Sequence, residues 1–272
     1  MAIIASPFFT TVTLVPELPE VERAARTLDA AARGRRIVRA RVLHPALARR
    51  LPDARLRALV GRRIERVERR GKHQVVVLDD DTALVVHFRM SGDWAIDRGG
   101  AELPRFTRAV LDLDDGTRVA LVDSRALATL ELRARADALP RLGPEPLDDA
   151  FSGSVLRAAL AGRRVGIKPA LLDQRVVAGL GNIYAAEALW LAGVSPRAIS
   201  GALSTARAER LVSAIREVLS RAPSARYGDD SRDARWRVYG REGEPCARCG
   251  ARIRRIVQAG RSTYYCPRCQ RR

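Results

Sequence analysis

The end of this chain fixes one piece of its structure before any periodicity is read. Cys246-Ala-Arg-Cys249 and Cys266-Pro-Arg-Cys269 are two C-x-x-C knuckles, and they hold all four cysteines of the 272-residue sequence. Each knuckle turns two sulfurs toward one point, so two facing knuckles can close a tetrahedron of thiolates around an ion at ~2.3 Å. Two disulfides or a redox pair would use the same residues. The spacing and the lack of a secretory signature favour one Zn2+. Four thiolates leave no open coordination position, which makes the ion structural. Between the knuckles, Arg252 to Tyr265 predicts a β-hairpin with Ala259-Gly260 near its turn and Arg261 close to its tip. A small rigid hairpin carrying arginine suits the phosphates of a duplex.

Charge narrows the class of partner. Lys and Arg number 49 against 31 Asp and Glu, a net charge of +18. Such an excess repels itself unless a polyanion shares its field. Nucleic acid is the expected partner, with an anionic membrane surface second. No apolar run reaches the ~18 residues that a membrane span requires. The length allows a sizeable core and two domains. Only Lys72 and Lys168 are lysines. Either compositional bias spared them by chance, or those two sites need a compact ammonium in place of a planar fork. Residues 1–15 are apolar, lack Lys and Arg, and are interrupted by Pro7. They make a poor signal peptide and too short an anchor, so a cytoplasmic protein is expected.

An amphipathic helix is predicted after Pro16. Pro19 suits its first turn, Glu20 and Glu22 its positive end and Gly34 its stop, with Val21, Ala25 and Leu28 on the buried face. From Ile37 to about Leu132 short β-like runs follow: Ile37–Val42, Ile64–Glu68, Val75–Leu78, Ala83–Phe88, Ala109–Leu113 and Arg118–Leu121. Turn signals such as Asp79-Asp80-Asp81 and Asp114-Asp115-Gly116 separate them, which suggests a β-sandwich. Leu142 to Leu147 reads as a linker, and helical patterns dominate from about Ser154 to Ala222.

These motifs together resemble the formamidopyrimidine-DNA glycosylase and endonuclease VIII family. The resemblance runs from Pro16 to Cys269 and rests on seven segments in order. They are PELPEVE at 16–22, Arg69-Arg-Gly-Lys72, His87-Phe-Arg-Met-Ser-Gly92, Ile167-Lys-Pro169, Gly179-Leu-Gly-Asn-Ile-Tyr-Ala-Ala-Glu187, Val238-Tyr-Gly-Arg-Glu-Gly243 and the cysteine knuckles. The PELPE start is more similar to the formamidopyrimidine branch. The resemblance implies an α+β multidomain fold. Residues 1–15 would be a leader absent from the mature protein. An N-terminal helix plus β-sandwich would occupy 16–136, a linker 137–153, a helix–two-turns–helix domain 154–240 and a zinc ribbon 241–272.

The same resemblance implies base-excision repair of double-stranded DNA carrying oxidised bases or abasic sites, by a monomer. The flipped-out nucleotide would expose C1′, which is shielded inside the duplex. Pro16 would be the nucleophile, with Glu17 the acid/base beside it and Lys72 holding a phosphate and supporting catalysis. Lys168, Asn182, Arg261 and His87 would contact DNA. Backbone N–H groups of the Gly179-Leu-Gly181 turn would help Asn182 hold a phosphate, although a plain turn with a helix cap would satisfy that segment equally well. Glu20 would orient the site, and Glu187 would be a structural partner.

Three departures from the family pattern qualify this reading. Met90 and Arg125 match two parts of the family's Met–Arg–Phe wedge, but Leu127 stands where Phe is expected; Leu fills space and cannot stack. The stretch Arg221 to Arg237 is shorter than the family's base-capping region, with Tyr227-Gly228 left to suggest such a role. Substrate choice therefore stays open between 8-oxoguanine with formamidopyrimidines and oxidised pyrimidines. Finally, Pro16 preceded by other residues carries a tertiary amide nitrogen with no basic lone pair. The expectation is that Val15 occupies the initiator position and is removed. The alternative function is a non-catalytic damaged-DNA-binding zinc protein with a blocked Pro16; a zinc-ribbon transcription or RNA-binding factor is more distant.

Overall fold

The computed structural model describes residues 15–222 and 236–271. Helix α1 (Leu18–Ala32) begins where expected, with Pro19 in its first turn and the Glu17 N–H donating to Glu20 Oε2 at 3.0 Å. Val21, Ala25 and Leu28 are buried, joined by Leu18, Ala24 and Ala32. Eight strands follow: β1 (Ile37–Val42), β2 (Ile64–Arg70), β3 (His73–Leu78), β4 (Thr82–His87), β5 (Gly92–Asp97), β6 (Thr107–Leu113), β7 (Arg118–Asp123) and β8 (Thr129–Ala134). Six of these match the β-like runs read from the sequence, the run Ala83–Phe88 passing the end of β4 by one residue. β5 and β8 carry charged residues at partly exposed positions, which dilutes their apolar signal. Two short helices, α2 (Pro45–Ala48) and α3 (Asp53–Leu59), break the region that reads as strand. Their Leu47, Leu56 and Leu59 feed the sandwich core.

The strands form two antiparallel four-stranded sheets, ordered β1-β6-β7-β5 and β2-β3-β4-β8. One core lies between them: Leu111, Leu113 and Leu121 of the first sheet meet Val76, Leu84 and Val86 of the second, with Leu28 of α1. β3 is buried on both faces, because Val75 and Val77 pack under Ala138 and Leu139 after β8. This is why β3 reads as a continuous apolar run.

Among the described residues, four further α-helices build the second half: α4 (Gly153–Leu160), α5 (Ile167–Leu171), α6 (Asn182–Ala192) and α7 (Thr205–Ser220). Ser152 caps α4 and Ser204 caps α7, each through its side chain. α6 is buried on every side from Ile183 to Trp190. Its Tyr184, Ala185 and Leu189 belong to the helical core, while Ala186 and Trp190 join Val238, Ile253 and Cys266 beneath the ribbon. Strands β9 (Arg254–Gln258) and β10 (Arg261–Tyr265) form the expected hairpin. Ala259 and Gly260 turn it with φ of 47° and 72°. No helix among the described residues is long and apolar enough to cross a membrane.

The segment that reads as a linker is tied into both halves. Glu145 is buried and accepts from Arg69 Nη1 (2.7 Å), Arg70 Nη1 (2.8 Å) and the Gly71 N–H (2.6 Å). The Gly143 N–H donates to Gln174 O at 2.8 Å, and a Cβ there would lie 2.5 Å from Arg175 O.

Candidate active site

A cleft of about 740 Å3 opens between the sandwich and the helical half. It is lined by Pro16, Glu17, Lys72, His87, Met90 and Leu127 from one side, and by Asn182, Tyr239 and Arg261 from the other. The sheets explain the first side. His73 pairs with His87 and His87 with Thr129, so the residues just outside these pairs share one end of the sheet. Lys72 leads into β3, Met90 follows β4 and Leu127 precedes β8.

Glu17 is buried at the bottom of the cleft and reaches across to the other half. Its Oε1 accepts the Ile183 N–H at 2.9 Å and its Oε2 the Tyr184 N–H at 3.3 Å. It thereby caps the N-terminus of α6, where peptide dipoles favour a negative group. Gly181 makes room: a Cβ there would lie 2.2 Å from Glu17 Cδ. Gly179, at φ 80°, sits against Leu18 in the same way. The two glycines thus bring α1 and α6 into contact. In the turn that the sequence reading offered to a phosphate, one amide is engaged within the protein. The Gly179 N–H donates to Gln174 Oε1, and the Ile183 and Tyr184 N–H groups in the first turn of α6 go to Glu17. Glu20 accepts from the Tyr184 hydroxyl at 2.8 Å, which fixes the same junction from α1.

Burial pushes the Glu17 carboxyl above its ordinary range, against the pull of Lys72 and the two N–H groups. Burial pushes the Lys72 ammonium down; Glu17 opposes this and Arg261 reinforces it. The site thus pairs an acid held toward its neutral form with an amine that loses its proton more readily. His87 stacks edge-on against His73 with ring centroids 4.8 Å apart. Burial, His73 and Arg89 lower its pKa to about 3, so it faces the cleft as a neutral ring. Its Nδ1 accepts the Arg89 N–H at 3.0 Å, which assigns the remaining ring proton to Nε2.

Lys168 does not line the cleft. It is 1 % exposed, and its ammonium donates to Asn182 Oδ1 (2.5 Å), Thr263 Oγ1 (2.9 Å) and Ser262 O (3.1 Å). The Asn182 amide donates in turn to Ser262 O at 3.2 Å and to the Tyr239 hydroxyl at 3.5 Å. Together they hold the ribbon hairpin, and with it Arg261, over the start of α6.

The four cysteine sulfurs lie within 4.8 Å of one another and form no disulfide. Cys246 Sγ is 3.9 Å from Cys269 Sγ, and Cys249 Sγ is 3.5 Å from Cys266 Sγ. A zinc tetrahedron with ~2.3 Å bonds has sulfur–sulfur edges of about 3.8 Å. Trp190 Nε1 and the Arg248 N–H both point at Cys246 Sγ at 3.4 Å, as donors to a thiolate do. The donor set fits one structural zinc ion.

Comparison with known proteins agrees with this geometry. Residues 15–130 match the profile of the formamidopyrimidine-DNA glycosylase N-terminal domain, 142–230 that of its H2TH domain, and 243–272 that of the zinc finger found in FPG and IleRS. Formamidopyrimidine-DNA glycosylase of Paracoccus denitrificans is 43% identical over 281 residues, covering 94% of this chain and all of the relative. The chain belongs to the formamidopyrimidine-DNA glycosylase family. Among solved structures of the family, the Lactococcus lactis enzyme bound non-covalently to abasic-site DNA superposes with a TM-score of 0.86 at 33% identity. MutM in complex with DNA containing carbocyclic 8-oxo-G gives 0.86 at 34%. Both cover 94% of this chain and all of theirs.

The segments that carry Met90, Arg125 and Leu127, expected from the sequence to form a wedge, share one hydrogen-bonded frame. Asp123 is buried; it accepts from the Ser91 hydroxyl and from the N–H groups of Arg125 (3.1 Å), Leu127 (2.7 Å) and Ala128 (2.7 Å). This carboxylate ties the turn after β4 to the turn after β7. Met90 and Leu127 reach the cleft, whereas Arg125 is exposed beside it. Sequence reasoning missed Asp123, Gln174 and Tyr239. Asp123 stands two residues before Arg125, and that proximity to a wedge match was the available signal. Glu187 accepts the N–H groups of Arg237, Val238 and Tyr239, the structural part expected of it. Tyr227-Gly228 lies outside the described residues.

Proposed function

We infer that this chain excises oxidised purines, 8-oxoguanine and formamidopyrimidines, from double-stranded DNA and then cleaves the strand at the resulting abasic site. The observation that carries this reading is the convergence of Pro16, Glu17 and Lys72 in one cleft, facing Arg261 and Asn182. Relatives bind abasic-site and 8-oxo-G DNA, and the cleft offers both the volume and the cations for a flipped nucleotide.

The Pro16 nitrogen attacks C1′ of the damaged nucleotide, and the C1′–N bond breaks with its electrons leaving on the base, which takes up a proton. Glu17, held toward its protonated form, is the acid at this step. The Pro16 nitrogen then gives up its proton, and its lone pair breaks the C1′–O4′ bond; O4′ takes up a proton as the sugar ring opens, leaving an iminium between Pro16 and C1′. That cation acidifies the C2′ proton; its removal expels the 3′ phosphate, and a second elimination expels the 5′ phosphate. Lys72 holds a phosphate at the lesion, with Arg261 and neutral His87 contacting the backbone alongside Asn182. Lys168 supports them from within. Met90, Arg125 and Leu127 fill the space the nucleotide vacates. A single chain supplies every group, so a monomer suffices, and the enzyme works in the cytoplasm. The working parts are 16–136, 154–240 and the ribbon 241–272, joined by 137–153.

The chemistry requires a secondary amine, so the reacting species is one in which Pro16 is N-terminal and residues 1–15 are absent. A second reading is favoured by Val15 lining the same cleft: a chain still joined to Pro16 binds damage without cutting it. Borohydride trapping on abasic-site duplex separates the two. Protein beginning at Pro16 is expected to give a covalent adduct and a nick, and protein retaining Val15 neither. Equal adduct from both would show that Pro16 is not the attacking group.

A further inference from the structure

Beside the wedge frame stands an aromatic residue that no part of the proposed reaction uses. Phe106 is 40 % exposed and takes φ 70°, the left-handed region in which a bulky side chain is strained. It lies in the turn before β6, where the Thr107 N–H and Oγ1 both donate to Pro104 O at 3.2 and 2.6 Å. Glycine would fill this position without strain. Phe106 belongs to none of the hydrophobic clusters of the core.

Its surroundings tie it to the wedge. The Asp123 N–H donates to Phe106 O at 3.0 Å, and the carboxylate of that same aspartate holds Leu127 and Arg125. A register shift between Thr107 and Ala109 sets Arg108 out of the ladder. Its guanidinium reaches Asp123 O at 2.7 Å and Ser124 O at 3.4 Å while lying 5.6 Å from the Phe106 ring. Arg105 approaches the ring at 4.6 Å. One frame therefore presents an aliphatic side chain, Leu127, and an aromatic one, Phe106, flanked by two arginines.

We propose that Phe106 is a DNA-contacting residue that supplies the aromatic surface Leu127 lacks, packing on a nucleotide of the duplex at the wedge while Arg105 meets an adjoining phosphate and Arg108 holds the frame. This rests on the glycosylase reading above. Leucine can occupy the gap left by a flipped nucleotide, but only a ring offers a face on which an unstacked base can rest. The strain at Phe106 then has a function to offset it.

The test compares wild type with Phe106→Ala, Phe106→Gly and Phe106→Tyr on a duplex carrying a non-cleavable abasic analogue. 2-Aminopurine is placed opposite the analogue and at each neighbouring position in turn. Wild type is expected to quench the fluorophore at one position beyond what Phe106→Ala achieves. The alanine variant should bind about tenfold more weakly, and tyrosine should restore both signals. Phe106→Gly should lose the same affinity with its unfolding midpoint unchanged or raised, which separates loss of contact from loss of fold. Wild-type affinity and quenching in Phe106→Ala would overturn the proposal while leaving the glycosylase reading intact. A wild-type protein that does not bind the duplex would overturn both.

Discussion

At the scale of single residues, the two lysines are the clearest case of one residue type in two environments. Both are displaced downward by burial, but Lys72 faces the cleft beside Glu17 while Lys168 is enclosed by protein acceptors. Lys168→Met would leave Asn182 Oδ1 and Thr263 Oγ1 without this donor, and Ser262 O with the Asn182 amide alone. A stability loss of about 1–3 kcal/mol is expected, measured by denaturant unfolding near neutral pH. Weaker DNA binding should accompany it as the hairpin loosens. The folded pKa of Lys168, about 8, lies below the ordinary 10.5. Between those values the unfolded chain binds the extra proton, so this group's contribution to stability rises with pH and is lost as pH falls through 8. The difference in unfolding free energy between wild type and Lys168→Met should therefore change across that window; a flat difference would refute the assignment. The sequence singled out both lysines, giving Lys72 a part in catalysis and Lys168 a contact with DNA. Nothing in Ile167-Lys-Pro169 reveals that residues 262 and 263 close over the side chain.

At the scale of elements, the junction between α1 and α6 governs the site. Gly181→Ala would push a methyl into Glu17 and drive the carboxylate off the α6 N-terminus. Overpacking of this kind costs about 1–3 kcal/mol. Misplacing the acid by about 1 Å can cost ~100-fold in turnover. Single-turnover excision together with thermal unfolding would report both; an unaffected rate would show that Glu17 needs no such seat. The ribbon is the second governing element. Its small core joins Trp190 of α6 to Cys246 and Cys266, so zinc removal should release the hairpin and Arg261 while the sandwich stays folded. A chelator titration followed by tryptophan fluorescence and DNA binding would test this. Full affinity in the metal-free protein would contradict the role given to the hairpin. These elements were legible to different degrees. α1 and β1 match their sequence readings closely, because caps and alternation are local signals. α2 and α3 were missed because four and seven residues carry too little periodicity.

At the scale of the whole molecule, the chain carries a net charge of +18, and Arg50, Lys72, Arg89 and Arg261 line the cleft. Association with DNA should weaken steeply with salt, with a log–log slope of about −0.9 for each phosphate neutralised. Arg261→Ala should reduce that slope by about 1 and weaken undamaged and damaged duplexes alike, since phosphate contacts carry no base code. Filter binding or anisotropy from low to moderate salt would show it. A change confined to lesion DNA would argue that Arg261 reads the damage.

What the sequence determined by itself was whatever a few neighbouring residues can encode. The C-x-x-C spacing defined the metal site, prolines and glycines bounded helices, alternation marked strands, and ordered motifs carried the family resemblance. The tertiary structure alone decided that Glu17 caps a helix more than 160 residues away in sequence. It alone turned Glu145 from an apparent linker residue into an anchor for the loop before Lys72, and put Phe106 on the frame of the wedge. The reason is physical: such contacts depend on how closed surfaces meet once burial has brought distant segments together, and no local period records that meeting.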